Sequence, residues 1–430
     1  MSDRIHAQGA GRAGKTTTSA SVSTDGAAIV ELVDELLRRA LACGTSDIHF
    51  EPVDAPPLTE LRPLKGPAAG VLVRIRRDGV LHDFERLPQS VAEGVVGRLK
   101  VMASLLTYRI DIPQEGSLRF EFAPEDEAGW TELRVATFPT IRGERAVVRV
   151  FAARPDVERL DALGFEAEQV RSLRTAVESP SGLILVTGPA GAGKTTTLYA
   201  LLRHLRHTCP GCSLITVEDP VEQRLDRVTQ IQINPHGELN YEVCMRSLLR
   251  QDPQVLLIGE IRDARTATIA IEAALTGHLI LTTMHSGDPA EAVLRLLEMD
   301  VPPYQVVSAV TLVCSQRLLR CRCPCRQEPA AHETAARPGL ESAAREVTAP
   351  PAEPSCNQCL GTGYRGRVAC GHVVRIDETL RELILSRPSA GQLRSAMRAQ
   401  KPDLRTGAAE HVARGVTDID EVHRVLGCAE

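Results

Sequence analysis

The chain has 430 residues, 43% of them apolar and 24% charged, which suits two or three globular domains and excludes a mainly disordered or fibrous protein. Acidic residues outnumber basic ones by 55 to 50, and aromatics are only 3%. A protein that coats a phosphodiester backbone and stacks on bases would show the reverse, so no direct nucleic-acid partner is expected.

No apolar run reaches the ~18 residues of a membrane span, and the first fifteen residues contain no apolar stretch of a secretory leader. The reading is therefore cytoplasmic, where thiols stay reduced. The 12 cysteines are expected as metal ligands or buried thiols rather than disulfides. Only five of the 50 basic residues are lysine. Where arginine is the default cation, a retained lysine points to a need for a compact, flexible point charge. Two of the five, Lys15 and Lys194, stand in Gly-Lys-Thr contexts.

Residues 1–27 are rich in Gly, Ala, Ser and Thr without apolar period and read as a disordered tail. Ile29, Val30, Leu32, Val33, Leu36 and Leu37 then recur at helical spacing. An α+β stretch follows over 28–155. In it Val71, Val73 and Ile75 alternate as a strand, Asp78-Gly79 is a hairpin turn, and 133–150 holds two strand patterns around Arg142-Gly143. From about 156 short apolar strands (183–186, 214–217, 255–258, 279–282) alternate with helical stretches. That alternation is an α/β pattern with a parallel sheet. Residues 327–355, rich in Ala, Glu and Pro, read as a flexible insertion within a cysteine subdomain at 316–372, and the chain is helical by pattern from Glu378.

Gly188, Pro189, Ala190, Gly191, Ala192, Gly193, Lys194 and Thr195 fit G-x4-G-K-[ST], after an apolar strand and before a helix that starts near Thr196. Glycines let the backbone turn its N–H groups inward around phosphates, and the helix N-terminus favours negative charge. Lys194 is expected to reach the β- and γ-phosphates of ATP and Thr195 to hold Mg²⁺. A Gly-rich turn without a ligand is the competing reading, and the flanking strand and helix count against it. Residues 9–16 fit the same pattern but follow eight residues with no apolar run and precede a poor helix. With no scaffold to order its amides, that match is a decoy.

The strand at 255–258 runs into Gly259-Glu260. Carboxyl ends of parallel strands face one crevice, so Glu260 is placed to polarise the attacking water. The 214–217 strand runs into Glu218 and Asp219, with Glu222 close behind, as carboxylates for water-mediated Mg²⁺. His278 and His285 flank the 279–282 strand as candidate phosphate sensors. Cys321, Cys323, Cys325, Cys356 and Cys359 supply two thiol pairs for a structural tetrahedral Zn²⁺, with Cys321 and Cys323 as alternatives in the first pair. Cys370 and His372 are lesser candidates, and Cys209-Pro-Gly-Cys212 is a lone pair without a partner.

Taken in order, these segments resemble the secretion and pilus-assembly ATPases, the family of the type II secretion ATPase and the type IV pilus extension ATPase. The resemblance rests on Ser46–Pro52, Arg76–Val80, Arg98–Ala103, Pro113–Gly116, the phosphate loop, Thr216–Glu222, Leu248–Pro253, Gly259–Asp263, Thr276–His278 and Gly363–Arg367, and it runs from about 28 to 428. It implies a homo-hexameric motor whose subunits have a PAS-like α+β lobe and a RecA-like P-loop ATPase lobe. Its nucleotide-contacting arginines map to Arg134 and Arg149, and to Arg246, Arg250, Arg262 and Arg295. It also implies work at the inner membrane through a platform protein and a cytoplasmic docking protein. The docking domain that precedes the first lobe in long members is expected to be missing. A pilus-retraction or DNA-uptake motor is the alternative within the same superfamily, and the cysteine pairs weigh against retraction.

Overall fold

The structure is a computed structural model that describes residues 26–54, 69–122, 130–151, 159–233, 239–326, 356, 358–400 and 402–428. Residues 1–25, with the second Gly-Lys-Thr match, and the 327–355 insertion lie outside the described residues. The chain divides into two compact units, the first ending at Val150 and the second starting at Phe151.

In the first unit, α1 (Gly26–Ala42) buries Val33, Leu36, Leu37, Ala40 and Leu41, a stripe at the i, i+3, i+4 spacing of one helix face. The strands are β1 (Asp47–Val53), β2 (Gly70–Arg77), β3 (Val80–Pro88), β4 (Gln114–Glu121), β5 (Trp130–Thr140) and β6 (Gly143–Phe151), with α2 (Gln89–Met102) after β3. They form one sheet in the order β3-β2-β1-β6-β5-β4, with β1 antiparallel to β2 and β6. The β2–β3 turn is Asp78-Gly79 with φ of 48° and 86°, the two left-handed positions that a two-residue hairpin needs. Side chains alternate across the pleat. Ile48, Phe50, Val71, Val73, Ile75, Leu133, Val135, Ala146 and Val148 join α1 and α2 in one core. Asp47, His49, Glu51, Arg74, Arg76 and Arg145 form a charged face opposite, where Arg145 bonds both His49 Nδ1 (2.8 Å) and Glu51 (2.9 Å). Lys100 of α2 is buried to 1% and donates to both oxygens of Glu144 (2.7 and 2.8 Å) and to the Arg109 carbonyl (2.8 Å).

The second unit opens with a 3-10 turn (Leu160–Ala162) and α3 (Ala167–Val177), then β7 (Gly182–Thr187), α4 (Lys194–Thr208), β8 (Leu214–Glu218), β9 (Thr229–Gln232) and α5 (Tyr241–Leu248). It continues through β10 (Val255–Ile258), α6 (Ala264–Leu275), β11 (Leu279–Met284), α7 (Pro289–Glu298), α8 (Pro303–Ala309) and β12 (Val310–Arg322). After a 3-10 turn (Pro324–Arg326) come β13 (Tyr364–Arg375), α9 (Glu378–Leu385), α10 (Ala390–Arg398), α11 (Leu404–Ala413) and α12 (Ile419–Leu426).

The sheet order is β13-β12-β7-β11-β10-β8-β9, parallel from β12 to β9, with β13 antiparallel on the edge. The central strands β7, β8, β10 and β11 are buried at every residue, as a sheet covered on both faces requires. Leu183, Leu185, Leu256, Ile258 and Ile280 face a core built with α5–α10. Ile184, Val186, Val255, Leu257, Leu279 and Leu281 face one built with α3 and α4. The helices after β7 and β10 therefore cover opposite faces, and the crevice between their strand ends is left open for a ligand. Among the described residues, no helix is long and apolar enough to cross a membrane.

Candidate functional site

A cavity of about 390 Å³ lies at the carboxyl ends of β7, β8 and β10. Residues 190–196 line it together with Glu218, Asp219, Glu222, Glu260 and His285. The loop bends where only glycine is at ease: Gly193 caps α4 with φ 85°, and Gly188 has φ 149°. A Cβ on Gly188 would fall 2.6 Å from the Gln316 carbonyl oxygen, so that position excludes any side chain.

Lys194 Nζ donates to the carbonyls of Gly188 (2.9 Å) and Pro189 (3.1 Å), so the ammonium is folded back into the loop. Burial lowers its pKa, against the opposing pull of Glu260. Thr195 Oγ1 donates to Glu222 (3.3 Å). Glu260 lies between Arg262, which donates to it, and His285, whose Nε2 is 3.1 Å from Oε2. Thr283 Oγ1 donates to the Gly259 carbonyl (2.8 Å) and steadies the turn that presents Glu260. The cluster thus holds an ammonium, a hydroxyl, a half-caged carboxylate, an imidazole and a guanidinium, a combination of groups suited to phosphoryl transfer to water.

Glu218 is 3% exposed. Tyr199 OH donates to its Oε2, and Thr216 Oγ1 (2.6 Å) and Gln230 Nε2 (3.4 Å) donate to its Oε1. Burial, and then the Glu218 charge, push the Tyr199 phenol far above its ordinary pKa, so it stays a donor. Both Glu218 oxygens are occupied, so it orders the wall. Glu222 and Asp219 are the more open carboxylates.

Other sequence candidates lie elsewhere. His278 stands at the opposite end of β11 from His285, with its carbonyl accepting from Gly182 N and its Nδ1 3.0 Å from the Ala273 carbonyl. Six residues at about 3.3 Å each put roughly 20 Å between the two ends. Of the two candidate phosphate sensors, His285 lines the cavity and His278 does not. Arg246 and Arg295 pair along their own helices with Glu242 (3.0 Å) and Glu291 (3.5 Å), and Arg250 is exposed in the turn after α5, so none of the three lines the cavity. Arg134 and Arg149 belong to the first unit, where they pair with Glu115 (2.5 Å) and Asp47 (3.0 Å). Tyr241, Leu318 and Arg367 line the cavity and had not been singled out. Arg367 falls in the Gly363–Arg367 segment, whose pattern was visible although its role was not.

Cys323, Cys325, Cys356 and Cys359 bring their Sγ atoms within 4.8 Å of one another. The Cys323–Cys356 and Cys325–Cys359 sulfurs are 3.9 and 3.5 Å apart. A tetrahedron with Zn–S bonds of about 2.3 Å has edges of about 3.8 Å, so the four thiols fit zinc. The backbone N–H of Cys359 brings the Cys356 pKa down to about 7, which favours the thiolate that a metal takes. Cys321, still on β12, is outside the set, so the first pair has a single residue between its thiols. Cys370 donates to the Leu404 carbonyl (2.9 Å), and His372 Nε2 lies 3.1 and 3.0 Å from the Met397 and Gln400 carbonyls. Both serve packing. Cys209 and Cys212, expected as thiols, are joined as a disulfide with a Cα–Cα distance of 5.5 Å.

Comparison with known proteins follows the same lines. The family model described as "Type II/IV secretion system protein" matches residues 22–424. The Type II secretion system ATPase E of Vibrio cholerae is 34% identical over 403 residues, covering 94% of this chain and 76% of that protein. The Type IV pilus assembly ATPase PilB of Pseudomonas aeruginosa is 35% identical over 419 residues, covering 96% and 70%. Among solved structures, the ATPase DotB of Yersinia pseudotuberculosis shares the fold with a TM-score of 0.66 at 20% identity, over 92% of each chain. Matched over nearly its whole length, this chain belongs to the Type II/IV secretion system protein family.

Proposed function

We propose that this chain is an ATP-hydrolysing subunit of a hexameric motor that powers assembly of a type II secretion pseudopilus or a type IV pilus. The observation that carries the proposal is one cavity holding Lys194, Thr195 and Glu260 at the carboxyl ends of β7 and β10, two parallel strands on either side of β11. ATP occupies the loop of amides over 188–195, and Lys194 leaves the Gly188 and Pro189 carbonyls for the phosphates. Thr195 with Glu222 and Asp219 is the hard-oxygen set that would hold Mg²⁺, which would supply neutralisation of the phosphate charge. Glu260 orients the water, and His285 and Arg262 hold its carboxylate in place. Arg134 and Arg149 of the PAS-like lobe are further cations for the developing charge, because an arginine fork matches phosphate oxygens. ATP binds one conformation of the subunit more tightly than another, and that difference drives the movement.

The four thiols hold a structural zinc that pins the far end of the β12–β13 hairpin. The motor works in the cytoplasm beneath the inner membrane, through a platform protein and a docking protein. The acidic balance of 55 to 50 and the 3% aromatics support partners other than nucleic acid. The test is ATP hydrolysis by the full chain alongside Glu260→Gln. Loss of turnover with ATP binding kept supports the assignment, and an unchanged rate in Glu260→Gln refutes it.

A further inference from the structure

The residues that shape the phosphate loop are not all in the loop. Gln316, on β12, has no exposed surface and does not line the cavity. Its Oε1 accepts from Thr197 Oγ1 (2.8 Å), one turn into α4, and its Nε2 donates to the Ala192 carbonyl (2.7 Å). A single carboxamide therefore ties the last bend of the loop to the first turn of the helix. Its planar acceptor-and-donor pair matches one hydroxyl and one carbonyl, which no apolar or acidic side chain does.

The Ala192 bond has a directional consequence. In a trans peptide the C=O and the next N–H point opposite ways. Fixing the Ala192 carbonyl on Gln316, outside the cavity lining, turns the Gly193 N–H to the other side. We propose that Gln316 is a positioning residue for nucleotide binding, locking the Ala192–Gly193 peptide so that the Gly193 N–H is held ready for a phosphate oxygen. The inference rests on the nucleotide reading of this site and names a residue that acts without touching the ligand.

The experiment is calorimetry of Mg-ADP on the full chain, with KM and kcat for ATP and a melting curve, for wild type, Gln316→Leu, Gln316→Met and Thr197→Val. Gln316→Leu leaves the Ala192 carbonyl without its donor, and the affinity is expected to fall about tenfold, with KM rising by a similar factor and kcat changing far less. Gln316→Met keeps the unbranched length of the side chain but offers Ala192 no donor, so it shows the same loss and tests the claim if the leucine variant does not fold. Thr197→Val removes only the helix contact and keeps affinity within about threefold. Wild-type affinity in a folded Gln316→Leu or Gln316→Met overturns the inference. So does an equal loss in Thr197→Val, which would assign the effect to helix packing. Wild-type protein that binds no nucleotide overturns the nucleotide reading itself, and the inference with it.

Discussion

Glu260 shows how much of this site is decided by single side chains. Its carboxylate meets Arg262 on one oxygen and His285 on the other, so it stands oriented before any ligand arrives. Glu260→Gln keeps the shape and loses the carboxylate proposed as the base. Turnover is expected to fall about 10²- to 10⁴-fold, the range for a general base, with nucleotide affinity retained. Steady-state rates together with calorimetry check this. Lys100 is a second residue whose identity matters. In a chain with only five lysines, this one is 1% exposed and gives all its donors to Glu144 and the Arg109 carbonyl. Lys100→Met leaves Glu144 charged and uncompensated, at an expected cost of about 3–5 kcal/mol in denaturant unfolding, and adding Glu144→Leu recovers most of it. A single variant as stable as wild type would contradict the pairing.

At the scale of elements, β12 and β13 matter most. Glu421 of α12 is fully buried and accepts from the Arg320 backbone (2.9 Å) and from its side chain (2.9 and 2.7 Å), with Arg424 closing the other side. Arg320 also lies 4.0 Å over the Tyr364 ring, whose OH donates to Asp418 (2.8 Å). These contacts fix α12 against the hairpin that carries the cysteine cluster. Nearby, burial lowers the pKa of His372 and His411 below the ordinary 6.5, so both are neutral in the fold. The unfolded chain binds more protons as pH falls through that value. The stability they lend is therefore complete above 6.5 and is lost as pH drops through their lower folded values. The melting temperature is expected to fall between about pH 7.5 and 5.5, and less steeply in His372→Asn and His411→Asn. An identical slope in both variants contradicts this.

The strands of the second unit were legible because buried parallel strands are short apolar runs. The position of β11 between β7 and β10 was not, and that order is what separates His278 from His285. Likewise, spacing left Cys321 and Cys323 equal. β12 decides between them by running on through Arg322 and releasing the chain into a turn only at Cys323.

For the whole molecule, one strand joins two sites. β12 carries Gln316 under the phosphate loop and ends where Cys323 enters the thiol cluster. Purified protein is expected to hold about one zinc per chain, and Cys325→Ser to lose it. Metal analysis giving no zinc in wild type removes the clamp. Beyond one chain, the motor reading requires that the cavity turn over ATP, and the sequence contains its own control, because Lys15 and Lys194 stand in the same G-x4-G-K-[ST] pattern, and Lys194 follows β7 and opens α4. The most direct test is ATP hydrolysis by the assembled full-length chain with magnesium, for wild type, Lys194→Ala and Lys15→Ala. The account predicts turnover in wild type and Lys15→Ala and none in Lys194→Ala. Full activity in Lys194→Ala, or no activity in a folded, assembled wild type, would contradict it.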